Sequence, residues 1–357
     1  MVTMLDCIRR TPLRGLIILE KALINTEVLK EVICDFNDIR EIVLIGSGSS
    51  FNASIAELDF IEKITNIQTH AYLPNDFAKK TVYDEKAAYI FVSQSGTSTL
   101  VKEQILKINE LGYPTIAITD DAASPIATTA RVHIPLEVGN EEFGYRTVGF
   151  SATMMTLKVV ALRIALEKKL ISQNEFEECL NDGRKALEHH NDVVEDSLKW
   201  FDRNKEILKP LRSIMYYGGG TLHGIAIEGA LKLMETPKIY LSAGFEAEDG
   251  IHGPCYAFRK GDVIIFLNDG CEDREFADSM VRFSKNELGA GYMFGPEPID
   301  ENDLVIRPVS EYFKELEFVP SVQVIAYEMA IINNIEVLEM SKRIPHVSTK
   351  YIQTHRG

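Results

Sequence analysis

The chain is short of the residues that build disulfide frameworks and metal sites. Its five cysteines (Cys7, Cys34, Cys179, Cys255 and Cys271) are odd in number and widely scattered, with no CxxC pair and no Cys/His cluster. Neither a disulfide framework nor a structural zinc site is expected. No uninterrupted apolar run reaches the roughly 18 residues that a membrane-spanning helix needs. The opening MVTMLDCIRRTPLRG has no signal-peptide apolar core, so a cytosolic location is expected. Basic residues are also scarce: 38 Lys and Arg stand against 53 Asp and Glu, a net charge of −15. Phosphate contacts to nucleic acid need clustered cations. Such an acidic chain is therefore not expected to bind nucleic acid or an anionic membrane.

What is present is ordinary globular sequence. The 357 residues are 45% hydrophobic and 25% charged, enough for about two domains. A helical pattern over 13–36 precedes a short β-rich run at Glu41 to Ile45, then a small-residue loop and a helix. AAYIFV, PTIAITD and RVHIPLEV read as further strands, with a helix from about Ser98 to Leu111. Strands alternating with helices imply a parallel sheet with right-handed crossovers. Apolar, Met-rich 151–170 and charged 173–199 read as helices. From Arg212 the strand, small-residue loop, helix order begins again in SIMYYGGGTLHGIAIEGALKLME. The loop centres Gly46–Ser50 and Gly218–Leu222 lie 172 positions apart, which reads as a duplicated α/β unit.

Two loops of the first half suit a phosphate. Gly46-Ser47-Gly48-Ser49-Ser50 and Ser93-Gln94-Ser95-Gly96-Thr97-Ser98 each separate a strand from a helix. Helix N-termini present free N–H groups and partial positive charge, and serine hydroxyls add donors. A dinucleotide fingerprint does not fit, because Phe51 stands where its third glycine belongs, and no Walker lysine follows. In the second half Glu228, Lys232 and Glu235 are spaced to share one helix face. A surface salt-bridge ladder would have the same spacing.

The order IGSGSSFN, VSQSGTS, GGGTLHGIAIEGALKLMETP, GIHGP resembles the double sugar-isomerase (SIS) family, to which the isomerase half of glucosamine-6-phosphate synthase belongs. The resemblance runs from about residue 35 to the tail. It implies an α/β fold of two tandem doubly wound parallel-sheet domains. The boundaries expected are a helical segment over 1–36, a first domain over 37–170, connecting helices over 171–207, a second domain over 208–340 and a tail over 341–357 that enters the site.

The resemblance also assigns roles. Ser49, Ser50, Ser93, Gln94, Ser95 and Ser98 would bind a sugar phosphate, with Ser47 near the sugar hydroxyls. Glu235, on the Glu228–Lys232–Glu235 helix, would move a proton between C1 and C2, as a positioned carboxylate can. His252 would help open the sugar ring from a neighbouring subunit. Lys350, five residues after Pro345, would form a Schiff base with the open-chain ketose.

The chain departs from the family at GYRTVGFS, where Tyr145 and Arg146 are bulkier and are expected to read a different substrate. Glu246, Glu248 and Asp249 could grip an amine or form a solvated acidic loop. No counterpart of the synthase's glutaminase nucleophile stands at the start, so glutamine hydrolysis is not expected of this chain. The expected enzyme acts on an amino-sugar or fructosamine 6-phosphate and couples isomerisation to C–N cleavage. Plain aldose–ketose isomerisation and non-catalytic phosphosugar sensing are the alternatives. No cofactor or metal is expected, the ligand is a small sugar phosphate, and a homodimer with shared sites is implied.

Overall fold

The computed structural model describes residues 2–139, 141–270 and 273–335. Helices α1 (Met4–Glu20) and α2 (Ala22–Thr26) lead into β1 (Glu41–Gly46), α3 (Ser49–Thr65), β2 (Gln68–Tyr72), α4 (Pro74–Ala78), β3 (Ala87–Val92) and α5 (Thr99–Glu110). Strands β4 (Thr115–Thr119) and β5 (Val132–Pro135) complete the first set, followed by α6 (Val148–Glu167) and α7 (Gln173–Leu208). The second set is β6 (Ser213–Gly218), α8 (Thr221–Glu235), β7 (Leu241–Glu246), β8 (Asp262–Leu267), α9 (Arg274–Phe283), β9 (Gly291–Gly295), β10 (Leu304–Val305) and α10 (Val319–Ile332).

Each set forms one five-stranded sheet, ordered β2-β1-β3-β4-β5 and β7-β6-β8-β9-β10. Every strand pair is parallel. The expected pair of doubly wound α/β sheets is present, and both sheets have the same second-first-third-fourth-fifth order. In that order the chain reverses direction across the sheet between the first and third strands, and ligands of such folds bind at the carboxyl ends there. The described residues group into two compact units. One holds the first sheet, with 13–139, 141 and 148–180. The other holds the second sheet, with 2–12, 142–147 and 181–335.

Central strands explain the cores. β3 (AAYIFV) and β8 (DVIIFL) are buried at all six positions, as parallel strands covered on both faces must be. Around β3 the core gathers Val43, Ile45, Phe77, Phe91, Ile105 and Ala117. Around β8 it gathers Tyr217, Ile264, Phe266, Met280 and Met293. Helix α6 is long and apolar enough to cross a membrane by composition, yet its most apolar window is wholly buried. A helix apolar all round belongs in a core. Within its unit α6 packs on α3, and there Lys158 pairs with Glu57 at 3.0 Å, both side chains almost fully buried. The Lys158 ammonium also lies 3.6 Å from the centre of the Phe60 ring.

The N-terminal helix departs from expectation. It was expected over 13–36 but runs from Met4 to Glu20 and then, after α2, tightens into a 3-10 turn at Glu27–Glu31. Thr3 and Asp6 cap its start reciprocally: the Thr3 N–H donates to Asp6 at 2.8 Å and the Asp6 N–H to the Thr3 hydroxyl at 3.1 Å. Pro12 lies inside α1 and has no N–H for the Ile8 carbonyl. His190 Nε2 meets that carbonyl instead, at 2.9 Å. Burial pushes the His190 pKa down to about 4, so the ring is neutral and donates through Nε2. The sequence reading also passed over β2 and β7. Both are sheet-edge strands, QTHAY and LSAGFE, without an apolar run. The charged helix expected over 173–199 continues to Leu208.

A loop of the second-sheet unit is pinned to α7. Asp182 accepts from the Ser310 hydroxyl and from the N–H groups of Glu311 (2.9 Å) and Tyr312 (2.8 Å). Burial pushes this carboxyl up, but those donors and Lys185 outweigh it and hold the group below the ordinary aspartate range. A depressed carboxyl pKa adds stability above its unfolded value, about 4, and loses it as pH falls through the folded value. Asp182→Asn is expected to cost about 2 kcal/mol at neutral pH. The gap from wild type should close in acid below about pH 4. Thermal unfolding across that range checks this, and a pH-independent gap would show that the carboxylate charge plays no part.

Candidate active site

In the first-sheet unit the serine loops leave neighbouring strands at the same edge. β1 pairs with β3 in parallel, with Gly46 opposite Val92, so the loops that follow both strands emerge side by side at the switch point. Gly48 caps α3 with φ +56° and ψ −132°, a conformation that favours glycine and brings the backbone close to whatever sits at the helix end. Ser47 lies in this turn, and Ser49 and Ser50 open α3. The Ser50 N–H donates back to the Ser47 carbonyl at 3.2 Å. In the second loop Ser93 and Gln94 are buried. The Ser95 and Thr97 hydroxyls lie 2.9 Å apart. Ser98 stands at the N-cap of α5, where its hydroxyl makes no capping bond. Both loops thus offer hydroxyls and helix N-termini to an anion.

In the second-sheet unit the pseudo-equivalent turn has the same backbone. Gly220 caps α8 with φ +52° and ψ −127°. Its surroundings differ: a Cβ built on Gly219 would lie 1.6 Å from an Asp273 carboxylate oxygen. Asp273 sits at the N-cap of α9 but makes no capping bond there. An acidic group, rather than open space, faces this turn.

Helix α8 carries the charged triad inward. Glu228 and Lys232 are fully buried, while the Glu235 side chain keeps 32% exposure. Lys232 Nζ lies 3.1 Å from Glu228 and 2.8 Å from Glu235. Burial pushes the Lys232 pKa down, but the Glu228 and Glu235 carboxylates outweigh it and hold it above the ordinary lysine range. A surface ladder is thereby excluded: the inner two members are in the core, and only Glu235 reaches outward. The lysine stays protonated and ties the Glu235 side chain to the helix. Gly229 makes room for this packing, since a Cβ there would lie 3.0 Å from Val322.

His252 lies in the turn after Asp249–Ile251, with 71% of its side chain exposed and Nε2 3.5 Å from Glu248. It belongs to the same unit as the triad, but no hydrogen bond or ion pair of the structure joins it to Glu235. Glu246 accepts from the N–H groups of Glu248 (2.7 Å) and Asp249 (3.2 Å), so it braces the acidic loop from within. Tyr145 packs edge-on against Phe143, with Lys238 Nζ 5.7 Å from its ring centre. Lys350 and Pro345 fall outside the described residues.

Two groups escaped the sequence reading. His223, in the first turn of α8, is held below its ordinary pKa by burial, against the opposing pull of Glu246 and Asp249. Glu141 is buried although it looks like one of two solvated acids in GNEEFG. No local pattern marks either.

Residues 35–163 match the SIS domain family. Over that stretch the chain is similar to SIS domains. Over 320 residues it is 25% identical to the glutamine–fructose-6-phosphate aminotransferase (isomerizing) of Staphylococcus epidermidis, matching 88% of this chain and 52% of that protein. The chain thus spans about half the length of the curated relatives it matches. Beyond the SIS domain match, the whole fold is shared. A candidate phosphosugar isomerase from Clostridium difficile superposes with a TM-score of 0.89 at 22% identity, covering 98% of both chains. The C-terminal domain of glucosamine-fructose-6-phosphate aminotransferase from Francisella tularensis gives 0.83 at 20%, covering 94% of this chain and 98% of that one. A glucosamine-6-phosphate deaminase from Thermotoga maritima gives 0.69 at 19%, covering 94% and 98%.

Proposed function

We propose that this protein acts on an amino-sugar or fructosamine 6-phosphate, coupling C1–C2 proton transfer to C–N bond cleavage. The observation that carries the reading is the α8 triad, a half-exposed carboxylate tied down by a buried ammonium. A general base needs that combination of access and fixed geometry. The aminotransferase domain and the deaminase that share the fold support a nitrogen-bearing hexose phosphate as the substrate class.

The roles follow from the residue chemistry. Hydroxyls and N–H groups of Ser49, Ser50, Ser93, Ser95 and Ser98, with the Gln94 amide, anchor the phosphate, and Ser47 lies towards the sugar. His252 opens the ring, and its exposure leaves it free to do so for a second copy in a homodimer. Glu235 removes the proton from the carbon bearing nitrogen and returns it to the neighbouring carbonyl carbon. The nitrogen-bearing carbon becomes an imine and the former carbonyl an alcohol. Water then adds to the imine and the amine departs. Lys350 is the residue proposed to form a Schiff base with the ketose carbonyl that amine release leaves, its amine adding to that carbon as water departs. Glu228 and Lys232 position Glu235.

The test is incubation with glucosamine 6-phosphate and with fructoselysine 6-phosphate, measuring free amine and the sugar phosphate formed. Amine release at a rate abolished by Glu235→Gln is the expected result. Ketose–aldose interconversion without amine would establish the plain isomerase instead. Ligand binding with no chemistry on any sugar phosphate would establish a sensor.

A further inference from the structure

Glu141 does two things with one carboxylate. One oxygen accepts from Gln94 Nε2 at 2.9 Å, and the other accepts from the Val148 N–H, at the first residue of α6, at 3.1 Å. Gln94 and Glu141 are each only 8% exposed. A carboxylate can only accept, so the Gln94 amide must turn its NH2 end to Glu141. The Gln94 Oε1 is left buried without a hydrogen-bond partner. It lies over Gly149, where a built Cβ would fall 1.8 Å from it. That place is the first turn of α6, whose partial positive charge suits an oxygen and repels an NH2 group. Both neighbours therefore select the same orientation of the amide.

We infer that Glu141 is a positioning residue that fixes Gln94 as a hydrogen-bond donor in the serine-loop site. The inference rests on the reading that these loops bind a sugar phosphate. The amide oxygen is locked away against α6, and one Nε2 hydrogen is spent on Glu141. The second Nε2 hydrogen is the part of the side chain left for an anionic or hydroxyl oxygen of the ligand. Gln94 then selects acceptors, and a flipped amide would present a lone pair to a phosphate ester.

A double-variant cycle in fructose 6-phosphate affinity, measured by calorimetry on the full chain, tests this. Glu141→Gln has one acceptor oxygen for two donors and is expected to weaken binding about tenfold, the size of one lost hydrogen bond. In the Gln94→Ala background the same change should alter affinity by less than about twofold. Gly149→Ala presses on the amide from the opposite side without harming helix propensity. It should weaken binding only when Gln94 is present, and it serves if Glu141→Gln folds poorly. Equal losses in both backgrounds would show that Glu141 merely caps α6, and would overturn the inference while leaving the phosphosugar reading intact. A wild-type chain that binds neither fructose 6-phosphate nor inorganic phosphate would overturn both.

Discussion

Glu235→Gln is expected to lower turnover of the nitrogen-bearing sugar phosphate by about two to four orders of magnitude, the usual worth of a positioned general base. Affinity for fructose 6-phosphate should change little, because an amide keeps the size of the side chain and an acceptor for Lys232 Nζ, now 2.8 Å away. The loss should therefore fall on kcat rather than KM. Steady-state kinetics with a binding isotherm for each variant separates these quantities. Stability should also hold, since Glu235 is the exposed end of the triad and Lys232 keeps its contact to Glu228. Unchanged turnover in a folded variant would remove Glu235 from the chemistry and with it the proposed proton transfer.

Lys158→Met should instead unfold much of the protein's margin. Lys158 and Glu57 pair their charges in the α3–α6 packing, with side-chain exposures of 1% and 0%. Removing the ammonium leaves a carboxylate in the core, which costs about 3–5 kcal/mol. That is a large share of a typical domain's stability, so denaturant midpoints should drop sharply. Replacing both members, Lys158→Met with Glu57→Leu, removes both charges at similar volume and should recover most of the loss. A double variant no better than Lys158→Met would mean that shape rather than charge holds this interface. Ligand affinity in the double variant should stay near wild type, because neither side chain belongs to the serine loops.

Much of this was legible in the sequence because parallel α/β folds write their pattern locally. Central strands such as AAYIFV and DVIIFL are near-continuous apolar runs, and the turns after β1 and β6 are glycine-rich, which their φ values favour. Edge strands β2 and β7 escaped because partial burial imposes no such pattern. The start of α1 escaped because Pro12 and Gly15 look like breakers. It took the ring of His190, far along the chain, to satisfy the carbonyl that Pro12 leaves free.

The candidate site divides in the same way. Spacing alone put Glu228, Lys232 and Glu235 on one face of a helix, and the repeated strand-loop-helix order put the serine loops at strand ends. Only the tertiary structure decided that Lys232 is buried between two carboxylates, that Asp273 closes over the second glycine turn and that Glu141 grips Gln94. Periodicity reports which face of an element is apolar. Which distant group meets a given side chain, and whether water is excluded when they meet, depends on contacts between elements that no local pattern encodes.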